Sequence, residues 1–238
     1  HGDAHIEQYA ITDHGRGLSD FDDAARGPAA SDLVRMSASL ELACNANRYD
    51  CEPILNAFWS GYERELKRPE LPAAIPAVVA RARAQFTGDR NTVFSQREEL
   101  FKPVEDAQRF DHLLFQYRRQ MLRDVPDLTD TFFNTKRVGR LKIGVGSALD
   151  EKYLVRIEGE SESESDDLFL EIKEVRDLSG VRCLSPVQLR SPLRVIQGQA
   201  RLSYTPYELT GHVVLEPLAP NGLPTSFWVH EWADNYVE

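Results

Sequence analysis

Apolar positions along this chain change their period once. From Leu33 they recur at helical spacing, at Leu33, Met36, Leu40 and Ala43, with Ser31 or Asp32 placed to cap the helix. A second helix follows Pro53 and carries Ile54, Leu55, Phe58, Trp59 and Tyr62. Residues 73–86 and 98–122 read as further helices, the second interrupted near Pro103. Beyond about residue 125 the period becomes two. Residues 138–145 and 152–158 alternate around a Gly-containing turn. Over 168–175, Leu168, Leu170 and Ile172 share one face, and Phe169, Glu171 and Lys173 the other. Residues 192–203 predict a helix, and 212–216 and 226–231 predict strands. Ahead of all these, residues 9–11 and 16–19 flank Asp13-His14-Gly15 and predict a short hairpin.

The pattern predicts an α+β protein, with a helical part over residues 1–130 and a strand-rich part over 131–238. A chain of 238 residues suffices for one two-lobed domain or two small ones. A hydrophobic content of 42% and a charged content of 28% describe an ordinary globular protein. No apolar run approaches the ~20 residues that cross a membrane. The formal net charge of -10 argues against a general nucleic-acid binder, which needs a basic surface. Cys44, Cys51 and Cys183 have no metal-ligand spacing and leave an odd thiol, which predicts a reducing, cytoplasmic setting. The acidic run SESESDD at 161–167 predicts a solvated loop between two strands. The chain opens on His1-Gly2-Asp3 with no signal peptide, as if it began inside a longer gene product.

Two acidic clusters near the start change the picture. Residues 1–8 read H-G-D-A-H-I-E-Q, and D-F-D-D-A follows at 20–24, beyond the hairpin. Phosphoryl transfer needs one carboxylate to orient the attacking hydroxyl and another to hold magnesium against nucleotide phosphates. A turn holding Asp3, then a hairpin, then Asp20 and Asp22 would put both groups at one cleft. Either cluster alone is equally at home as turn and cap residues; the two together at this spacing are more specific. In the second half, K-I-G-V-G-S-A at 142–148 lies between strands. Gly144 and Gly146, with Ser147 beside them, would let backbone N–H groups approach phosphate closely. Lys173 would point into a cleft while its neighbours face a core. A lone G-x-G is an ordinary hairpin turn, and a lysine on an alternating strand usually faces solvent. The order of glycines, strand and lysine is that of a nucleotide lobe.

The run HGDAHIEQ, a hairpin, DFDDAARGPAASDL and then a helix resembles the catalytic segment of aminoglycoside and choline phosphotransferases, with their HGDxHxxN and following acidic motif. Within that group it is most similar to an uncharacterised bacterial domain-of-unknown-function family with GDAHxEN and NDFDE motifs. The resemblance implies a protein-kinase-like two-lobed fold in permuted order: a helical lobe with the catalytic and metal-binding loops over 1–130, then a nucleotide lobe over 131–238. It implies ATP and Mg2+ as cofactors, Asp3 as the catalytic Asp, and Asp20 as the magnesium ligand assisted by Asp22. Gly144, Gly146, Ser147 and Lys173 would hold the nucleotide. Asp32 would brace the catalytic loop or simply cap a helix, and His1 and His5 would support that loop. An N-terminal His joining His5 on copper is the alternative use of the pair. The helices that normally connect the hinge to the catalytic loop would lie before His1 or after Glu238.

Two departures matter. Gln8 stands where the family has a metal-binding Asn, one methylene longer. Gln197 stands where the related bacterial family is expected to carry an acid that pairs the lysine; it can hydrogen-bond Lys173 but not neutralise it. Glu171 or Glu174 could compensate. The reading is therefore an ATP- and Mg2+-dependent phosphotransferase acting on a hydroxyl, or an amine, of a small molecule. A nucleotide-binding pseudokinase or regulatory module without turnover is the alternative, and an α+β domain with purely structural or calcium-binding acids is a third. The helical region from Asp32 to about Arg123 would carry the acceptor site, with Trp59, Tyr62, Phe115 and Tyr117 lining it or lying in a core. No nucleic-acid or membrane partner is expected, and the oligomeric state is open.

Overall fold

The computed structural model describes residues 1–13, 15–71, 74–86, 88–141, 150–185, 187, 189–203, 205–217, 222–232 and 236–237. In chain order the hairpin comes first, β1 (Tyr9–Thr12) and β2 (Arg16–Leu18), followed by α1 (Ala29–Asn47) and α2 (Cys51–Lys67). Two short helices, α3 (Ala77–Arg83) and α4 (Arg90–Glu98), and a long one, α5 (Ala107–Asp124), follow. The strand-rich part holds β3 (Thr135–Arg140), β4 (Lys152–Ile157), β5 (Leu168–Glu174), α6 (Pro192–Leu202), β6 (Gly211–Leu215) and β7 (Thr225–Trp232). The protein is α+β, as the periodicity predicts. Among the described residues, no helix is long and apolar enough to cross a membrane.

The five later strands form one antiparallel sheet in the order β3-β4-β5-β7-β6. A two-residue strand, β8 (Tyr236–Val237), returns to pair with β1, so the hairpin becomes a three-stranded sheet, β2-β1-β8. A pairing that short leaves no periodic signal, and the sequence pattern does not anticipate it.

One face of the large sheet is covered by α5. Phe110, Leu113, Tyr117 and Met121 recur every three or four residues and bury against Val155, Leu170, Ile172, Val213, Phe227 and Val229. Each such side chain contributes about 1.5–3 kcal/mol when fully buried. Tyr117 is a core residue, not part of an acceptor site: it is fully buried and its hydroxyl donates to the Leu209 carbonyl at 2.6 Å. Helix α5 thus belongs spatially to the sheet, although it precedes residue 130. The predicted helix over 98–122 divides here. Glu98 ends α4, Lys102 bridges to Arg140 on β3, and the Asp106 carboxylate restarts the helix by accepting the Arg109 N–H at 2.9 Å.

On β5 the alternation holds. Leu170 and Ile172 enter the α5 core, and Phe169 joins Phe94, Leu141 and Leu154 on the opposite face. That opposite face also packs Val195 of α6 and Trp228 against Phe21 and Ala24 from the turn after β2. The approach is close. A Cβ added to Gly198 of α6 would lie 2.5 Å from the Ala24 Cβ, so a side chain there would push helix and turn apart.

One cap assignment and one loop reading change. Pro28, not Ser31 or Asp32, starts α1, and Asp32 sits inside its first turn. The SESESDD run is solvated only in part. Its last residue, Asp167, is fully buried and pairs with Lys136 at 2.5 Å and with Arg156 at 2.6 Å. Replacing Asp167 by Ala takes this partner from Lys136 and leaves Arg156 with Glu98 at 3.0 Å, and breaking a buried pair costs about 3–5 kcal/mol. Urea unfolding of Asp167→Ala is expected to show a loss of about 3 kcal/mol or more; a loss below about 1 kcal/mol, the scale of an exposed pair, would contradict this placement.

Candidate active site

Asp20 leaves β2 in the left-handed region, at φ 54°, and the chain then closes one 3-10 turn over Phe21–Asp23. Left-handed backbone at a non-glycine residue is a strained arrangement, found most often where side chains must be aimed. Phe21 anchors the turn in the core, its ring 4.9 Å from that of His1 and 6.1 Å from that of Tyr207. The turn delivers Asp20 and Asp22 to one side chain, Lys173 on β5. The Lys173 ammonium lies 2.5 Å from the Asp20 carboxylate and also contacts that of Asp22.

The surrounding groups complete the shell. The Trp228 indole N–H donates to Asp22 at 2.8 Å, and the buried Gln8 amide donates to Asp20 at 3.2 Å. Arg194 of α6, itself buried, donates to the carbonyls of Asp22, Ala24, Leu189 and Arg176. One guanidinium thereby ties the acidic turn to the sheet and to α6. Burial pulls the Arg194 pKa down to about 10, so it stays charged at neutral pH.

The electrostatics follow from enclosing three charges together. Burial pushes the Asp22 carboxyl up to about 7, against the pull of Lys173. Burial also acts on Asp20, but the Lys173 charge and hydrogen bond hold it down at about 2. Burial alone would lower the Lys173 pKa; Asp22, Glu171 and Asp20 hold it well above the usual lysine range. The cluster therefore carries a permanent ammonium, a permanent carboxylate and a second carboxyl that exchanges its proton near neutrality.

Beside this cluster the same sheet face carries Glu171, buried, 2.7 Å from Lys152 and 2.8 Å from the His230 ring. His230 stacks against both Tyr207, at 4.3 Å, and Trp228, at 4.4 Å. A cleft of about 560 Å³ opens over Lys152, Glu171, Lys173 and His230, walled by the β1–β2 hairpin and the segment around Tyr207.

Asp3 does not line that cleft. Its loop packs against the acidic turn from the side: Gly2, at φ +90°, approaches so closely that a Cβ would lie 2.2 Å from the Asp23 carbonyl oxygen. The Asp3 carboxylate is 2.6 Å from Arg35 and 3.5 Å from His5. Asp32 braces this loop, accepting the His1 amino group at 2.7 Å and the Gly2 N–H at 2.8 Å.

The structure thus brings Gln8, Asp20, Asp22 and Lys173 together and puts the Asp3 loop next to them. It does not bring Gln197 to Lys173. Gln197 is exposed, because the inward faces of α6 present Arg194, Val195 and Gln199, the last accepting the Tyr207 N–H at 3.0 Å. Gly144, Gly146 and Ser147 lie outside the described residues. Arg194, Trp228, Lys152 and His230 are site residues that pattern reading missed. For Trp228 and His230 the trace in the sequence was the strand predicted over 226–231.

A protein-family model described as an uncharacterized protein conserved in bacteria matches residues 1–71 and 72–237. No curated protein and no solved structure matches the chain.

The raised Asp22 carboxyl makes stability pH-dependent in a defined sense. Its folded pKa exceeds its unfolded one, so the stabilisation is complete below the model-peptide value of 3.8 and is lost as pH rises through about 7. Urea midpoints of the native protein should therefore fall from pH 5 to pH 7 more steeply than those of Asp22→Asn. Parallel curves for the two proteins would refute the assignment.

Proposed function

The chain belongs to the DUF2252 family of proteins conserved in bacteria, and from that premise we propose an ATP- and magnesium-dependent phosphotransferase acting on a hydroxyl, or an amine, of a small molecule. The reading includes a protein-kinase-like fold in permuted order. The observation that carries it is the meeting of Lys173 with Asp20 and Asp22, residues that lie 153 positions apart in the first pair.

Phosphoryl transfer asks a protein mainly for positioning and electrostatic stabilisation. In the kinase template, a lysine on the third strand of the nucleotide lobe holds phosphates, and an Asp elsewhere holds magnesium. Lys173 is on β5, the third strand of the five-stranded sheet in chain order, and the helix that follows packs behind the acidic turn. This chain order, acids first and lysine later, is what the permuted reading requires.

The residues fit magnesium. Asp20, Asp22 and Gln8 offer hard oxygen donors, and magnesium is commonly held by one or two carboxylates with substrate phosphates supplying the rest. A cation, the Lys173 ammonium, already rests between the two carboxylates. When bound there, magnesium would neutralise charge on the phosphates. Lys173 would exchange its carboxylates for phosphate oxygens. Asp3, steadied by Arg35, would orient the acceptor hydroxyl and take up its proton. The aromatic ladder of α2, half-buried Phe58 and Tyr62 with exposed Trp59 between them, ring centroids 5.3 and 6.4 Å apart, belongs to the helical region assigned to the acceptor.

One observation favours a second reading, a nucleotide-binding module without turnover: Lys173 is fully neutralised inside the protein, and Gln8 spends its amide on Asp20. Thermal unfolding with ATP, with and without magnesium, together with transfer of labelled γ-phosphate to small-molecule acceptors, separates the two. ATP with magnesium is expected to stabilise the protein by about 2.7 kcal/mol at a hundredfold excess over Kd. Asp3→Asn should lower turnover by about 10²–10⁴-fold while leaving that stabilisation intact, and Asp20→Asn should remove its magnesium-dependent part. Stabilisation without any transfer selects the second reading; no response to any nucleotide excludes both.

A further inference from the structure

Resting on the nucleotide reading above, we propose that Lys152 is a second polyphosphate-binding residue of the cleft, held in place by the buried carboxylate of Glu171. The two lysines are partners across the β4–β5 ladder, Cα opposite Cα, and both side chains line the same cleft. Like charges directly opposite on adjacent strands destabilise a sheet, so this pairing needs a counter-charge or a ligand to justify it.

The two ammonium groups are not equally engaged. Lys173 is buried and meets two carboxylates, Asp20 and Asp22. The Lys152 side chain keeps 18% of its surface and meets one carboxylate, Glu171 at 2.7 Å, plus the face of Trp232 at 5.7 Å. That carboxylate is itself shared, because its other oxygen faces His230 at 2.8 Å. An ammonium carries three N–H donors, and this single carboxylate contact does not use them all. In the ligand-free protein, the lysine presenting donors to the cleft is thus Lys152. A polyanion entering would meet it before Lys173 changes partners.

Glu171 is the positioning residue of this arrangement. Its side chain is 9% exposed, and the Tyr207–His230–Trp228 stack fixes the ring that holds it. A carboxylate locked from behind sets the Lys152 ammonium at one point over the sheet, where a flexible lysine stem would otherwise wander. The charges around the cleft are balanced, with Glu208 and Glu231 opposing Arg16 and Arg97 on its walls. Selectivity for phosphate therefore rests on the two lysines of the floor and not on a general basic field.

The test uses the full chain and a ladder of ligands: adenosine, AMP, ADP, ATP and inorganic tripolyphosphate, each measured by calorimetric titration with magnesium. Lys152→Met keeps the apolar stem and removes the charge. It is expected to weaken ATP, ADP and tripolyphosphate at least tenfold and adenosine and AMP less than twofold. Lys152→Arg should restore the longer ligands to within about threefold of the native affinity. Glu171→Gln should show the same dependence on phosphate number, and adding it to Lys152→Met should bring no further loss. An equal effect of Lys152→Met on every ligand, or none on any, overturns the proposal while native binding of ATP keeps the phosphotransferase reading. A native protein that binds neither ATP nor tripolyphosphate overturns both.

Discussion

The rest of the structure is arranged around one buried ammonium. Removing Lys173 from water is unfavourable unless opposite charge is brought to it with good geometry. Asp20 and Asp22 supply that charge from the far end of the chain, and the protein spends considerable covalent and packing specificity to deliver them. The left-handed φ at Asp20, the core anchor Phe21, the Gly198–Ala24 contact and the four-carbonyl grip of Arg194 all serve to hold one 3-10 turn against one strand. Remove the pairing and the turn, α6 and the sheet lose their common reason to be in register.

A cluster built this way is rigid where it is supported and labile in one proton. Lys173 and Asp20 lock each other's charge, and Asp22 absorbs the remaining strain by titrating near neutrality. Asp20 and Asp22 are the residues that would hold the magnesium proposed above, with hard oxygen donors on one short turn. The same logic extends sideways along the sheet face, where Glu171 fixes Lys152 and is itself fixed through His230 and two aromatic rings.

Periodicity carried most of the architecture. The change from a period near 3.6 to a period of two separated helices from strands, and the alternation over β5 correctly divided Leu170 and Ile172 from Phe169, Glu171 and Lys173. It was less informative at element ends, which depend on single side chains. The cap of α1 and the break between α4 and α5 were settled by Pro28 and Asp106, and the chain's return as β8 is too short to leave a pattern.

The sequence by itself determined the α+β class, the strand faces and the local clusters of acid, because hydrophobic period and motif spacing act within a few residues of one another. It could single out Asp20, Asp22 and Lys173, which meet, the Asp32 brace, and Asp3, whose loop lies beside the acidic turn but outside the cleft, since each sits in a recognisable local run. Only the tertiary structure decided which carboxylates meet the lysine, that Arg194 and not Gln197 links α6 to the acidic turn, and that Lys152, Glu171 and His230 share one floor. Those are contacts between different elements of the fold, 153 positions apart for Asp20 and Lys173 and 59 for Glu171 and His230, and which partner a buried charge takes is decided by which strands and helices pack together, a quantity no local stretch of residues encodes.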